Sequence, residues 1–265
     1  MKLRHNSIVT PVEPIYWLAI RGCASIISIE YFTPGDILMK TMRRADDFLT
    51  QYFPWFGIAG GVIITLAVII TAFAYTDQHG ARYSPFNHYI SELGYVHISR
   101  GAWLFNGAMV TTGILFLVFC LGLGLYLHSL WGYAGTVAGI STAIFCAGVG
   151  LFSMDRLPYH LIVATWYFRS GLLTVVLFGI AFLAQAKGRH RIPKRAVLFS
   201  LLAALAYGAF LTLMDTGHSI DMSSLGITPI GTRPTFSLLP IVEWCVFITT
   251  ELWFLGVALM VKLKK

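Results

Sequence analysis

The sequence predicts an all-α fold, a polytopic transmembrane bundle of six helices with both termini in the cytoplasm. The chain of 265 residues is 57% hydrophobic and only 12% charged, whereas soluble domains carry about 25% charged residues. Apolar blocks of about 20 residues recur along the chain, the length that crosses a bilayer as a helix. The lysine and arginine residues lie mostly between these blocks, so the net charge of +7 reports the orientation of the spans in the membrane. It does not predict a nucleic-acid partner.

Six segments are apolar enough over a window of about 19 residues to span a membrane. Backbone polar groups in hydrocarbon must be satisfied within one segment, so blocks this long predict helices and not barrel strands. The predicted spans lie near Trp55–Tyr75, Ala102–Leu127, Trp131–Met154, His160–Ala186, Ala196–Met214 and Leu238–Val261.

The charge bias between loops predicts the orientation of the bundle. With six spans, both termini lie on one side, and the flanks and loops on that side hold eleven lysine and arginine residues against four on the other. Cytoplasmic loops carry the excess of positive charge. Both termini are therefore expected in the cytoplasm, and the loops at residues 76–101 and 215–237 are expected on the external side.

Residues 1–50 form a separate N-terminal segment ahead of the transmembrane domain at residues 51–265. The apolar stretch Ile15–Ile29 is short and contains Arg21, which favours an interfacial helix or a poorly ordered tail. A start at Met39 or Met42 is an alternative, since Met42-Arg43-Arg44 is typical of a cytoplasmic flank.

The cysteine pattern predicts neither a disulfide framework nor a CxxC metal site. Cys23, Cys120, Cys146 and Cys245 are widely scattered, and the last three fall in or at apolar blocks, where they are expected to pack. His88, Asp155, His160 and Glu243 have the composition of a zinc site. No HExxH-like spacing accompanies them, so we expect no metal and no cofactor.

Most titratable groups fall at the external end of the predicted bundle. Ser91 with His88 three residues earlier is compatible with a nucleophile and its base, although a capped interfacial helix explains the same residues. Asp155 is equally well explained as a helix cap before Pro158. We expect five candidates for catalysis to converge on one external pocket, namely Ser91, Glu92, Asp155, His160 and Glu243.

Arg169 and Glu251 are the charged residues placed deepest within predicted spans. Each lies about nine to thirteen residues from the outer end of its span, roughly 14 to 20 Å deep. An unpaired charge there costs several kcal/mol. Both are expected to face the bundle interior, paired or lining a polar cavity. With His88 and Asn106, they are the candidates for ligand binding.

Residues 89–94 and 104–107, at the first external loop and the start of the second span, resemble the bacterial and archaeal six-span family known as domain of unknown function 998. A more distant similarity is to the superfamily of DRAM autophagy modulators and Golgi GPI-anchor remodelling proteins. The likeness continues through residues 150–155 and 241–244. It implies a six-span fold in a bacterial or archaeal plasma membrane, no assigned reaction, and recurrent polar positions at Ser91, Glu92, Asn106, Asp155, His160 and Glu243.

Several functions fit these features. Polar residues gathered at one end of an apolar bundle favour a protein that binds a membrane lipid or a lipid-linked ligand. An intramembrane hydrolase or acyltransferase would use His88 or His160 as base and Ser91 or a water as nucleophile. A structural or regulatory subunit without catalysis is a third alternative. A transporter is disfavoured, because no inverted repeat or paired broken helices are visible.

Overall fold

The computed structural model of the protein describes residues 34–77, 80–185, 191–215 and 233–263. The prediction of an all-α bundle with six spans is confirmed, because six helices are long and apolar enough to cross a membrane. These helices are α1 (Pro34–Ala74), α2 (Ala102–Leu127), α3 (Leu130–Leu151), α4 (Leu157–Leu183), α5 (Ala196–Asp215) and α6 (Leu238–Lys262). The predictions for Ile15–Ile29 and Cys23 lie outside the described residues, and the cytoplasmic orientation of the termini stays a prediction.

The first helix begins earlier than the predicted span. It is continuous from Pro34 over 41 residues and contains Pro54, although apolar sequence starts only near Trp55. Residues 38–47 are exposed and rich in good helix formers such as leucine, methionine, lysine and arginine. Helical propensity therefore extends the element beyond the part that hydrophobicity marks.

The six helices close into a ring in which each neighbour runs antiparallel to the next. Helices α2 to α6 pack in chain order. Helix α1 closes the ring between α2 and α6, because Gly57 lies against Phe119 of α2 and Ala258 of α6. Added Cβ atoms at Gly57, Gly122 or Gly139 would lie within 2.6 Å of a neighbouring helix. Small residues therefore permit these close approaches, as the glycine-rich spans suggest.

The lower half of the ring, toward the chain termini, is filled by aromatic side chains. Ring centroids of Phe116 and Phe254 are 4.3 Å apart, those of Phe119 and Phe254 are 4.7 Å apart, and Trp253 packs 5.8 Å from Phe178. The indole N–H of Trp253 donates to Ser200 Oγ at 2.9 Å. We call this group the aromatic cluster, which comprises Phe53, Phe116, Phe119, Phe178, Trp253 and Phe254.

The upper half of the ring ends in the loops that join α1 to α2, α3 to α4 and α5 to α6, and we call it the loop end. Large apolar side chains on the outside of the bundle are widely exposed, among them Phe73, Trp103, Val137 and Leu205. A soluble protein rarely exposes apolar surface on this scale, whereas lipid covers it without cost. The chain is therefore an integral membrane protein.

Candidate functional site at the loop end of the bundle

A cavity lies between the helices in the upper half of the bundle, and we call it the main cavity. Its empty volume is about 700 Å³. Side chains from α1, α2, α3, α4 and α6 line it, and most of them are apolar, such as Ile64, Phe105 and Val246. The polar lining residues are Ser91, Thr112, Cys146, His160, Tyr167, Glu243, Thr250 and Glu251.

A second cavity of about 460 Å³, the side cavity, lies between α4, α5 and α6. Its walls include Leu161 of α4 and Met214 of α5. Ser91, His160 and Glu243 line both cavities. These three residues therefore form the boundary between the two spaces.

The roof of the main cavity is the cap segment, residues 84–99, which contains a 3₁₀ helix at Ile90–Gly94. Residues 233–237 hold it from above: Asn87 Nδ2 donates to Pro234 O at 2.9 Å, and Ser237 N donates to Phe86 O at 2.8 Å. Tyr83 fixes it from the side, since its hydroxyl donates to Tyr89 O at 2.9 Å and accepts from Trp244 Nε1 at 3.1 Å. These bonds fix the cap segment to residues 233–237 and, through Tyr83, to Trp244 of α6.

Glu92 is the ionic anchor of the cap segment. Its carboxylate is 1% exposed and pairs with Arg233, whose Nη2 lies 2.9 Å from Oε2 and whose Nη1 lies 3.3 Å from Oε1. Tyr89 N donates to Oε1 at 2.8 Å and Tyr75 Oη donates to Oε2 at 3.4 Å. Burial raises the pKa of the Glu92 carboxyl against the opposing effect of the Arg233 guanidinium.

Glu92 does not line either cavity. Its expected catalytic role in the external pocket therefore stays a prediction. Its carboxylate oxygens are occupied by the four donors that hold the cap segment in place. This pairing could not be predicted from the sequence, because Arg233 lies in a different loop, 141 residues away.

Asp155 also binds the cap segment and does not line either cavity. Its carboxylate accepts from Val96 N at 2.9 Å, from His97 N at 3.3 Å and from Ser153 Oγ at 2.7 Å, and His97 Nδ1 lies 2.5 Å away. It therefore ties the start of α4 to the end of the cap segment. These bonds turn the carboxylate toward the loop backbone, and the expected catalytic role of Asp155 stays a prediction.

His88 and Asn106 are the first two candidates for ligand binding. His88 belongs to the cap segment, and Asn106 contacts it. Asn106 Nδ2 donates to Gly94 O at 2.9 Å. His88 is 2% exposed, its Nδ1 contacts Asn87 Oδ1 at 2.7 Å, and its Nε2 is buried with no hydrogen-bond partner among the described residues. Burial lowers the pKa of His88 to about 4. Neither residue lines a cavity, and their role in binding stays a prediction.

His160 faces the cavities with one ring nitrogen fixed. Its Nδ1 lies 2.8 Å from Phe152 O. A carbonyl only accepts, so Nδ1 carries a proton, and in the neutral imidazole Nε2 keeps its lone pair. Neither Nε2 nor the hydroxyl of Ser91 has a hydrogen-bond partner in the described parts of the chain. Both groups are therefore available to a ligand.

Glu243 connects the last helix to the cap segment. One carboxylate oxygen, Oε2, accepts from Ile90 N at 2.8 Å, so this side chain satisfies a backbone donor at the start of the 3₁₀ helix. Glu243 is buried and lines both cavities. The structure thus brings Ser91, His160 and Glu243 together from the cap segment, α4 and α6.

Arg169 and Glu251 do not form the interior pair that their depth suggested. The Arg169 side chain is 50% exposed, and its Nη2 lies 3.8 Å from Asp215 Oδ1. Because α5 ends at Asp215, a carboxylate lies within reach on the outside of the bundle, and the arginine turns outward. The expectation of an inward Arg169 is wrong, whereas Glu251 lines the main cavity.

Three residues that sequence reasoning did not single out complete the upper half. Tyr75, Tyr83 and Trp244 pack around His88 and the cap segment, with ring centroids 5.2 to 6.0 Å apart. Burial raises the pKa of both tyrosine hydroxyls, so they act as neutral hydrogen-bond donors. Aromatic residues are common near the ends of spans, so the sequence positions of Tyr75 and Trp244 did not distinguish them.

Three of the four cysteines lie among the described residues. Cys120 and Cys146 are buried and free, as packing predicts, whereas Cys245 is exposed, which corrects the expectation for that residue. Within the described ranges, no three histidine, cysteine, aspartate or glutamate side chains are grouped so that they could hold a metal ion.

Comparison with known proteins adds a family but no activity. A family model described as "Protein of unknown function (DUF998)" matches residues 58–260. Searches of curated proteins and of solved structures found no match. The matched region contains α2 to α5, all but the last two residues of α6, the last 17 residues of α1, the cap segment and the lining residues of both cavities. The chain therefore belongs to the DUF998 family of proteins of unknown function.

Proposed function

We propose that this integral membrane protein binds an amphipathic ligand from the bilayer, a lipid or a lipid-linked molecule, in the main cavity. The observation that carries the proposal is the cavity itself, which is enclosed by apolar helix faces and has hydrogen-bonding groups at its loop end. Its volume of about 700 Å³ lies within the range of about 300 to 1,000 Å³ found for ligand sites. A structural subunit has no need of such a space.

The arrangement of groups suits a ligand with a polar head and an apolar chain. The Ser91 hydroxyl and the Nε2 lone pair of His160 are available near the cap segment, where a head group would bind. Apolar side chains such as Met109 and Val246 line the rest of the main cavity. An acyl chain that lies against them is shielded from water, which is favourable. The side cavity, which meets the main cavity at His160, offers the ligand a route between α4 and α5.

Lipids that copurify with the protein test this proposal. The protein is purified in a mild detergent and its bound lipids are identified by mass spectrometry. Ala164 lines both cavities, so Ala164→Trp should fill the space and displace the lipid. Ile162 lies on the same helix and is 57% exposed on the outside, so Ile162→Trp is the matched control. Equal lipid content in the two variants, or no retained lipid in the wild type, contradicts the proposal.

A hydrolase or acyltransferase is a second candidate, favoured by one specific observation. Ser91 and His160 line the same two cavities, and each presents a group without a protein partner. In such an enzyme the Ser91 hydroxyl would attack an ester or amide carbonyl while Nε2 of His160 accepts its proton. His160 would then give this proton to the alcohol or amine that leaves as the ester or amide bond breaks, and the acyl group on Ser91 would pass to water or to another alcohol.

The two candidates are separated by variants of these residues. A fluorophosphonate probe should label Ser91 in an enzyme and should fail to label Ser91→Ala or His160→Ala. Loss of labelling and of lipid turnover with the lipid still bound favours the enzyme, whereas loss of the lipid itself favours the binding protein. The distant likeness to DRAM and GPI-anchor remodelling proteins agrees with lipid handling but does not choose between these two.

A further inference from the structure

Glu251 lies at the deep end of the main cavity. Its contacts with the described residues do not explain a role in the fold. It is on α6, thirteen residues from Leu238, which is about 20 Å along the helix. Its Oε2 atom is buried and has no hydrogen-bond partner among the described residues. A carboxyl group at such depth without a partner costs several kcal/mol, so it is retained where it meets an ion or a substrate.

The backbone beside Glu251 is shaped to leave room for the carboxyl group. A Cβ atom at Gly61 of α1 would lie 2.8 Å from Glu251 Oε2 and 2.8 Å from Leu255 Cδ2. Any larger residue at this position would push the carboxyl group out of its place. The glycine therefore keeps the Glu251 head group within the cavity wall.

The main cavity is lined by two carboxyl groups and one imidazole, that of His160. Glu243 and Glu251 line it, whereas no lysine or arginine of the described ranges does. The arginines with acidic partners lie elsewhere, because Arg233 pairs with Glu92 above the cap segment and Arg169 pairs with Asp215 on the outside. Within the described parts of the chain, the cavity thus has no lysine or arginine side chain to meet these carboxyl groups.

Most polar groups that remain available in the cavity accept hydrogen bonds. The hydroxyl of Thr112 donates to Gly60 O at 3.3 Å, and that of Thr250 donates to Tyr207 Oη at 3.1 Å. The Nδ1 proton of His160 is directed to Phe152 O, which leaves the Nε2 lone pair. Such a lining favours a ligand that donates hydrogen bonds and disfavours an anionic head group.

From these observations we infer that the ligand of the main cavity carries a protonated amine, with Glu251 as its counter-ion. The inference rests on the proposed ligand-binding function and specifies the ligand class. A carboxylate and an ammonium group that meet away from water form a strong charge-assisted hydrogen bond. Tyr167 and Phe247 also line the cavity, and aromatic rings add attraction for a cation.

Three probes of equal chain length test the inference: dodecylamine, dodecanol and dodecanoate. Their binding to the full-length protein is measured by calorimetry in a non-ionic detergent at neutral pH. We expect dodecylamine to bind at least about tenfold more tightly than the other two, a difference of about 1.4 kcal/mol. Glu251→Gln should abolish this preference. The control Asp215→Asn, which removes a carboxylate outside the cavity, should keep it.

The outcomes separate this inference from the proposed function. Equal binding of the three probes, or a preference for dodecanoate, overturns the inference and leaves the ligand-binding proposal standing. Absence of binding by all three overturns both. The comparison of probes is made on the wild-type protein, so its result can be interpreted even if Glu251→Gln does not fold. In that case Glu251→Asp serves as a variant that keeps the charge.

Discussion

The two halves of the bundle are built from the same helices but are packed differently. In the lower half, α2 and α6 contribute Phe119, Trp253 and Phe254, whose rings fill the interior. On the same helices, Thr112 lies seven residues before Phe119 and Glu251 lies two residues before Trp253, and both line the main cavity. The difference shows that the open space is local, because the ring of helices is packed tightly directly below it.

This contrast explains how a membrane protein can keep a cavity without collapsing around it. The aromatic cluster holds α2, α4 and α6 at a fixed separation, and interiors packed to this density resist small shifts. The cap segment spans the loop end, where Glu92 and Asp155 fix it by ionic and backbone hydrogen bonds. We therefore expect the lower half of the bundle to provide most of the stability and the upper half to adapt to a ligand.

The largest effect should come from opening a void in the aromatic cluster. Phe119 and Phe105 both lie on α2 and are buried, at 0% and 1% exposure, but Phe105 borders the main cavity. We expect Phe119→Ala to destabilise the protein by about 4 kcal/mol, and Phe105→Ala by about half as much, because a residue beside a void loses fewer contacts. Thermal unfolding in detergent measures both. Equal losses would contradict the division into a filled and an open half.

A smaller and more local effect is expected when the cap segment loses its ionic anchor. Arg233→Gln leaves the Glu92 carboxylate buried without its guanidinium, which should destabilise the cap segment by about 3 kcal/mol. Hydrogen exchange at Tyr89 and Ile90 should then accelerate by about a hundredfold, while the amides of the aromatic cluster stay protected. The exposed Arg100→Gln is the control. Loss of protection throughout the bundle would show that the two halves do not unfold separately.

The pH dependence of the cap segment follows from His88. Its pKa is lowered to about 4 in the folded protein, against about 6.5 in the unfolded chain. Between these values the unfolded chain binds the proton and the folded protein does not, so stability falls as the pH falls through this window. Lowering the pH from 7.5 to 5 should cost about 2 kcal/mol. His88→Gln should flatten this part of the pH profile, and an unchanged profile would contradict the assignment.

The spans were predictable because hydrophobic length is a local property of the chain. Ala102–Leu127 and Ala196–Met214 match the observed helices closely. The start of α1 was not predictable in this way, since residues 34–50 contain six charged residues and their helix is indicated only by propensity. Orientation depends on the distribution of lysine and arginine, and it stays a prediction until it is tested in a membrane.

The site was predictable only where a helix end fixes a residue near the loop end. His160 and Glu243 lie one turn inside α4 and α6, so their place at the cavity follows from topology. The orientation of Arg169 and the ion pair of Glu92 were not predictable, because their partners, Asp215 and Arg233, come from distant parts of the chain. Depth along a helix does not tell which way a side chain faces when an outer partner is within reach.

The smallest effect compares two glycines that become alanine, one in each environment. A Cβ atom at Gly107 of α2 would have no neighbour within 4 Å, whereas one at Gly61 of α1 would collide with Glu251 Oε2 and Leu255. Gly107→Ala should stabilise the protein by about 0.5 kcal/mol through helix propensity. Gly61→Ala should destabilise it by about 1 kcal/mol, because a carboxyl group at 2.8 Å must shift within a packed wall. Thermal unfolding in detergent gives the sign of each change. Stabilisation by both substitutions would mean that Glu251 moves freely, and that the deep end of the cavity is not shaped around its carboxyl group.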